Sequence, residues 1–75
     1  MTLAHLEIGV VGKIKSVKGE TAISKRLMEM GLVPGVLVKI IKTAPFGNPI
    51  EISVRGYNLV MRRNEAEAIE ISELP

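Results

Sequence analysis

One ten-residue stretch, residues 26–35, limits most strongly how this chain can fold. It reads R-L-M-E-M-G-L-V-P-G. If a helix runs through Met30, Gly31 falls just beyond the C-cap, where the backbone commonly turns left-handed and only glycine does so without steric cost. Leu32 would then pack back onto Leu27, as in a Schellman motif. On these local signals the stretch predicts a helix stop, a device found in many proteins.

Two turns are predicted from proline and glycine. Pro34 and Gly35 suit the central positions of a type II turn, because proline presets the first φ and glycine supplies the positive second one. Gly56, between Arg55 and Tyr57, suits a tight connection at positive φ. The first of these turns is therefore predicted to follow the helix stop at Gly31 and to lead into a strand, and the second is predicted to join two later strands.

The length and composition predict one small domain, residues 1–75, with an aliphatic core. Hydrophobic residues make up 47% of the chain and aromatic residues only 3%, so Val, Ile, Leu and Met must fill the interior. A chain of this size buries only about 60% of the surface that its unfolded form exposes. There is no cysteine, so neither a disulfide nor a thiolate metal site can add stability.

The periodicity of apolar residues predicts about five short strands and one helix. An extended segment is expected over 2–8, a helix over 21–30 and a helical turn over 63–67; strands are expected over 10–17, 36–43, 50–54, 58–62 and 68–71. In so short a chain, curling one sheet into a barrel buries a face and removes exposed edges. The predicted fold is mainly β: a small Src-homology-3-like (SH3-like) barrel with one α-helix between the first and second main strands.

Single residues give more local expectations. Gly12 suggests a bend or bulge inside the first strand, and Leu37 is expected on a strand face that the helix partly covers. Thr21, after a turn at 18–20, and Asn64 are expected to cap the two helical segments. Glu65 is expected on a solvated face with the other C-terminal glutamates.

Charge and the scarcity of reactive side chains exclude several function classes. Residues 1–42 carry seven basic and three acidic side chains, a net +4, and residues 43–75 carry three and five, a net −2. The lysines of 13–18 are better explained as a solvated face than as a phosphate site, because aromatic stacking residues are lacking. No nucleic-acid partner, membrane-spanning segment or secretion signal is expected, which places the chain in the cytoplasm.

No catalytic, cofactor or metal site is expected either. The chain has one histidine and no glycine-rich phosphate loop, so an enzyme is not indicated. His5 and Glu7 would share a strand face, but two ligands do not make a metal site. The methionines at 28 and 30 are better explained as packing groups than as metal ligands.

Four segments in order resemble the ferrous iron transport protein A (FeoA) family. The first is the stretch 26–35. The others are A-P-F-G-N-P (44–49), V-R-G-Y-N-L (54–59) and R-R-N-E-A-E-A-I (62–69). Asn48 stands where that family usually has aspartate, and Met61 where leucine is common. Asn48 is expected to make the same short side-chain turn without the charge.

The resemblance implies a cytosolic, non-enzymatic accessory protein that docks on the G-protein region of the ferrous iron transporter, FeoB. An SH3-like barrel can present a shallow apolar groove to such a partner. The candidate contacts are Met30, Leu32, Pro45, Phe46 and Tyr57. For Leu32, a role in capping the helix is the alternative.

Two other expectations stay open. The same domain type occurs, by resemblance, at the C-terminus of iron-dependent transcriptional repressors, so this chain could be a detached regulatory module of that kind. Its mean hydropathy of +0.28 is high for a small domain and points to an exposed apolar patch or to a homo-oligomer.

Overall fold

Five antiparallel strands form one sheet around a single aliphatic core in a computed structural model, which describes residues 1–18 and 21–73. The strand order across the sheet is β4-β3-β2-β1-β5. Along the chain the elements are a 3₁₀ turn (Leu3–His5), β1 (Val11–Val17), α1 (Thr21–Glu29), β2 (Leu37–Thr43), a second 3₁₀ turn (Pro45–Gly47), β3 (Ile50–Val54), β4 (Tyr57–Met61), α2 (Arg63–Ala66) and β5 (Ile69–Glu73). The predicted mainly β fold, with one helix between the first two main strands, is confirmed.

Alternation along the strands places the core. Ile50, Ile52 and Val54 are all buried, because successive side chains of a strand point to opposite faces of the sheet. The sheet bends at two register shifts, one in β1 between Ile14 and Ser16 and one in β2 between residues 40 and 42. Bulges of this kind let a small sheet curl around its own core.

The helix α1 ends in a Schellman motif. The Leu32 N–H donates to the Leu27 carbonyl (3.1 Å), the Gly31 N–H donates to the Met28 carbonyl (3.0 Å), and Gly31 has φ +94°. Leu27 and Leu32 are both fully buried in the core. The chain therefore leaves the helix in a direction fixed by the backbone and by burial together.

The turn after this stop is fastened to β1. Val36 N–H donates to the Val33 carbonyl (3.2 Å), and Gly35 at the third turn position has φ +93°, which is type II geometry. Gly35 N–H also donates to the Ile14 carbonyl (2.8 Å), and Ile14 N–H donates to the Val36 carbonyl (2.9 Å). These bonds set where β2 begins.

The extended segment predicted over 2–8 is wrong. Leu3–His5 is a 3₁₀ turn, and Leu3 and Leu6 are both buried. In a 3₁₀ helix, side chains three positions apart lie on the same side. The turn therefore directs Leu3 and Leu6 into the core together, whereas a strand would place residues two positions apart on the same face.

Of the bend or bulge predicted at Gly12, the bulge is wrong: Gly12 keeps its register with both neighbouring strands, and the register shift of β1 lies between Ile14 and Ser16. A Cβ built on Gly12 would lie 2.5 Å from Cγ2 of Ile71 and 3.2 Å from a methyl carbon of Leu6. Glycine is therefore explained there by the close approach of neighbouring side chains.

The prediction that the helix partly covers Leu37 is wrong. Leu37 is 50% exposed on the outer face of β2.

Of the two helix-cap predictions, that for Asn64 is wrong and that for Thr21 falls outside the described side chains. Residues 19–20 of the predicted turn and the side chain of Thr21 lie outside the described residues. For α2, Asn64 is not the cap: Arg62 holds that position, and its N–H donates to Oε1 of Glu65 (2.9 Å). Oδ1 of Asn48 accepts the next N–H, that of Arg63 (3.0 Å). Among the described residues, this is the side-chain bond found for Asn48, so the side-chain turn expected within its own loop is replaced by a bond to α2.

Glu65 is buried, and its expected place on a solvated face is wrong. It is 6% exposed, and its Oε2 lies 2.6 Å from a guanidinium nitrogen of Arg26 on α1. Its other oxygen accepts the Arg62 N–H. Burial of the carboxylate is tolerated because both oxygens have partners.

Substitution of Gly31 tests the helix stop. We expect Gly31→Ala to lower the free energy of unfolding by about 1 kcal/mol more than Gly35→Ala. Both glycines have nearly the same positive φ, but a Cβ on Gly31 would lie 2.9 Å from the Tyr57 hydroxyl, whereas none of the described atoms lies within 4 Å of a Cβ on Gly35. The difference is the hydrogen bond that Tyr57 must give up to make room. Urea unfolding of both variants measures it, and equal losses would contradict the account.

A double-mutant cycle tests the Arg26–Glu65 pair. With Arg26→Met and Glu65→Gln we expect a coupling energy of about 1 kcal/mol, since one partner is buried and the other is largely exposed to screening solvent. The matched control is the more exposed pair Lys42–Glu51, at 3.7 Å, with Lys42→Met and Glu51→Gln; its coupling should stay below about 0.5 kcal/mol. Equal coupling in the two cycles would show that burial of Glu65 adds nothing.

Candidate functional site

A shallow groove lies between the end of α1 and the turn that joins β3 to β4. Its volume is about 340 Å³, and we call it the Met30–Tyr57 groove. It is lined by Glu29, Met30, Gly31, Arg55, Tyr57 and Leu59.

One hydrogen bond holds the two walls of this groove together. The Tyr57 hydroxyl donates to the main-chain oxygen of Met30. That approach is possible because Gly31 has no side chain to block it. The bond also satisfies a carbonyl at the end of α1, where the helix itself offers no partner.

The β3–β4 turn gives Tyr57 its position. Arg55 and Gly56 both have positive φ, +52° and +86°, as in the two-residue type I′ turn that matches the twist of a hairpin. Val54 and Tyr57 then pair directly across the two strands. The tyrosine ring therefore extends from a rigid hairpin end and not from a loose loop.

The groove is apolar at its centre and charged at its rim. Met30 and Leu59 are half-buried, and Tyr57 keeps 43% of its surface exposed. Glu29 and Arg55 contribute one charge of each sign. An apolar floor with few polar groups around it is the usual form of a binding surface.

A second exposed region is the loop 44–49. Phe46 at its tip is fully exposed and has φ +70°. The loop is ordered by main-chain bonds: Ala44 N–H donates to the Pro49 carbonyl (3.0 Å), and Gly47 N–H donates to the Ala44 carbonyl (2.9 Å). A depression of about 340 Å³ beside it is lined by Lys42, Thr43, Ala44, Pro45, Pro49 and Glu51.

The structure separates the five residues proposed from the sequence into three groups. Met30 and Tyr57 meet in the groove, near the C-terminal end of β3. Pro45 and Phe46 lie in the loop that precedes the N-terminal end of that strand. The two regions are divided by the four residue steps of that strand, roughly 13 Å. Leu32 is fully buried, so its side chain lies off the surface, and we leave it with its role at the helix stop.

Sequence reasoning missed three residues that line the groove: Glu29, Arg55 and Leu59. Alternation along β4 does place Leu59 on the same face as Tyr57, which was the available signal. For Glu29 and Arg55 no signal was available, because their proximity depends on how the helix end and the hairpin meet.

The described residues show neither a metal-binding cluster nor a membrane-spanning helix. Within residues 1–18 and 21–73, no three side chains of His, Cys, Asp or Glu come close enough together to hold a metal ion. Over the same described part of the chain, no helix has the length and apolar character needed to cross a membrane.

Comparison with known proteins identifies the domain. The FeoA domain family model matches residues 1–73. A fusion of Fe(2+) transport protein A with the Fe(2+) transporter FeoB, from Porphyromonas gingivalis, is 34% identical over 71 residues. That match covers 95% of this chain but only 8% of the fusion protein.

Solved structures agree with this match. The FeoA protein of Chlorobium tepidum is 44% identical, with a TM-score of 0.91 over 100% of this chain and 71% of that one. Stenotrophomonas maltophilia FeoA, complexed with zinc and described as a prokaryotic SH3 domain protein, is 29% identical, with a TM-score of 0.85 over 96% and 89% of the two chains. The predicted SH3-like fold is confirmed.

A manganese-dependent transcriptional repressor shares the fold only. It is 14% identical, with a TM-score of 0.89, and the match covers 99% of this chain and 36% of the repressor. Since similarity at that level carries architecture and not function, the family match over residues 1–73 decides the assignment. This chain belongs to the FeoA family of ferrous iron transport proteins.

Proposed function

We propose that this chain, as a single FeoA-like domain over residues 1–75, is a non-enzymatic cytoplasmic accessory protein of ferrous iron uptake. It docks on the G-protein region of the ferrous iron transporter and modulates that transporter. The observation that carries the proposal is the preformed Met30–Tyr57 groove, whose two walls are joined by the bond from the Tyr57 hydroxyl to the Met30 main-chain oxygen.

The fusion protein of Porphyromonas gingivalis supports the choice of partner. In it, a relative of this domain and the transporter FeoB share one polypeptide. A covalent link keeps two modules at a high effective concentration, which favours a working contact between them. We extend that contact to this chain as a contact between separate proteins.

The groove suits docking because its parts are already ordered. A rigid apolar surface loses little conformational entropy when a partner binds, so more of the contact energy appears as affinity. Met30 and Leu59 provide the apolar floor, and Tyr57 is a residue type enriched at binding hot spots. Gly31 thus serves both the helix end and the groove.

The loop tip carrying Phe46 is the second proposed contact, together with Pro45. A fully exposed aromatic side chain at positive φ stabilises this domain little, which leaves partner binding as its proposed role. Because the loop lies roughly 13 Å from the groove along β3, a partner that uses both must extend along the β3–β4 hairpin.

A methionine comparison tests the groove. We expect Met30→Gln to weaken binding to the purified G-protein region about fivefold to tenfold, because a polar group replaces part of the apolar floor. The matched control is Met28→Gln, the same change two residues away on α1, at an exposed side chain outside the groove lining. Isothermal titration calorimetry measures both. Equal affinity of the two variants would remove the groove from the proposed surface.

An alanine substitution tests the loop. We expect Phe46→Ala to change the free energy of unfolding by less than about 0.5 kcal/mol, since its side chain is fully exposed, and to weaken binding about tenfold. Ile8→Ala, at another exposed apolar residue, should leave both quantities unchanged. Wild-type affinity of the Phe46 variant would limit the docking surface to the groove.

A further inference from the structure

A second depression lies on the outer face of the sheet, across β1, β2 and β3. Its volume is about 220 Å³. It is lined by Val11, Leu37, Val38, Lys39, Ser53 and Arg55. We call the exposed residues Val11, Lys13, Leu37, Lys39 and Arg55 the sheet-face patch.

Apolar and cationic side chains alternate across the patch. Val11 pairs with Lys39, and Lys13 pairs with Leu37, directly across β1 and β2. The two side chains of such a pair lie about 5 Å apart on one face of the sheet. Val11 and Leu37 are 39% and 50% exposed, so each apolar group sits in solvent beside an ammonium group.

The three cations have no ion-pair partner among the side chains that the structure describes. None of those carboxylates lies within ion-pair distance of Lys13, Lys39 or Arg55. Glu51 also points outward, but it is engaged by Lys42 at 3.7 Å and by the Asn58 amide at 3.3 Å. The patch is therefore both apolar and uncompensated in charge.

We propose that the sheet-face patch docks an extended acidic protein segment in which carboxylates flank an aliphatic side chain. The aliphatic group would lie on Val11 and Leu37, while the carboxylates would meet Lys13, Lys39 and Arg55. Charge complementarity of this kind selects the partner and speeds association. The patch shares Arg55 with the groove, but its other four residues lie outside the groove lining, so the proposal goes beyond docking at the groove and does not depend on it.

The chemistry of the patch favours a peptide over other anions. Single-stranded nucleic acid binds on aromatic stacking platforms, whereas the apolar groups here are Val11 and Leu37. Stable attachment to a membrane takes a larger apolar face or a denser basic cluster than this patch has. An extended segment, with its side chains alternating, can match a surface where apolar and cationic groups alternate.

The test uses a short fluorescent peptide with one leucine flanked by glutamates. We expect saturable binding at low salt, measured by fluorescence anisotropy, with amide shifts of the labelled protein confined to the patch. Lys39→Glu should weaken binding about tenfold and Leu37→Ser about threefold. Both side chains are exposed, so the variants should stay folded, which their amide spectra will show.

Three controls make the test decisive. Lys25→Glu, on α1, changes the net charge by the same amount and should weaken binding less than about twofold. Met30→Gln should leave peptide binding unchanged, which separates this patch from the groove. A peptide with lysines in place of the glutamates should not bind.

Several outcomes would overturn the proposal. Equal effects of Lys39→Glu and Lys25→Glu would mean that only net charge attracts the peptide. Absence of peptide binding would also reject it, whatever the result at the groove. Binding to phosphatidylglycerol vesicles or to duplex DNA that depends on Lys39, without peptide binding, would assign the patch to a different kind of partner.

Discussion

The hydrogen bond from Tyr57 to the main-chain oxygen of Met30 joins the two parts of the molecule that matter most for its surface. It connects the end of α1 with the β3–β4 hairpin, which are far apart in sequence. Gly31 makes it possible in two ways, since its positive φ ends the helix and its lack of a Cβ admits the tyrosine. The same bond that completes the fold therefore also forms the groove that we propose as the docking site.

The segments that resemble the family contact one another in space. Arg26, in the helix-end segment, forms an ion pair with Glu65 near the C-terminus, and Asn48 of the 44–49 loop accepts the N–H of Arg63 at the start of α2. Side-chain pairs of this kind link segments whose local structure is fixed separately, and each is worth only about 1 kcal/mol. Stability therefore explains why Arg26, Asn48 and Glu65 occur in these segments. It does not explain Phe46, whose side chain is fully exposed.

Much of the fold could be predicted because its signals are local. The bounds of β3 followed from alternation over Ile50–Val54, and the end of α1 followed from the backbone requirement met by Gly31. The failures concern residues whose environment depends on distant partners. Burial of Glu65 required knowing that Arg26 lies beside it, and the reason for Gly12 required knowing where Ile71 packs. Met30 and Tyr57 could be proposed as contacts from the sequence. Glu29 and Arg55 could not be placed next to them, because their proximity also depends on how the helix end meets the hairpin.

The most direct test of the account is an amide-shift titration of the ¹⁵N-labelled protein with the unlabelled G-protein region of its ferrous iron transporter. We predict that the largest shifts fall on Met30, Gly31, Tyr57 and Leu59, with a second set at the 44–49 loop. Shifts confined to Val11, Lys13, Leu37 and Lys39, the part of the sheet-face patch outside the groove, would move the docking site to the outer face of the sheet and contradict the central claim. Absence of any shift at saturating partner would reject docking on the isolated G-protein region altogether.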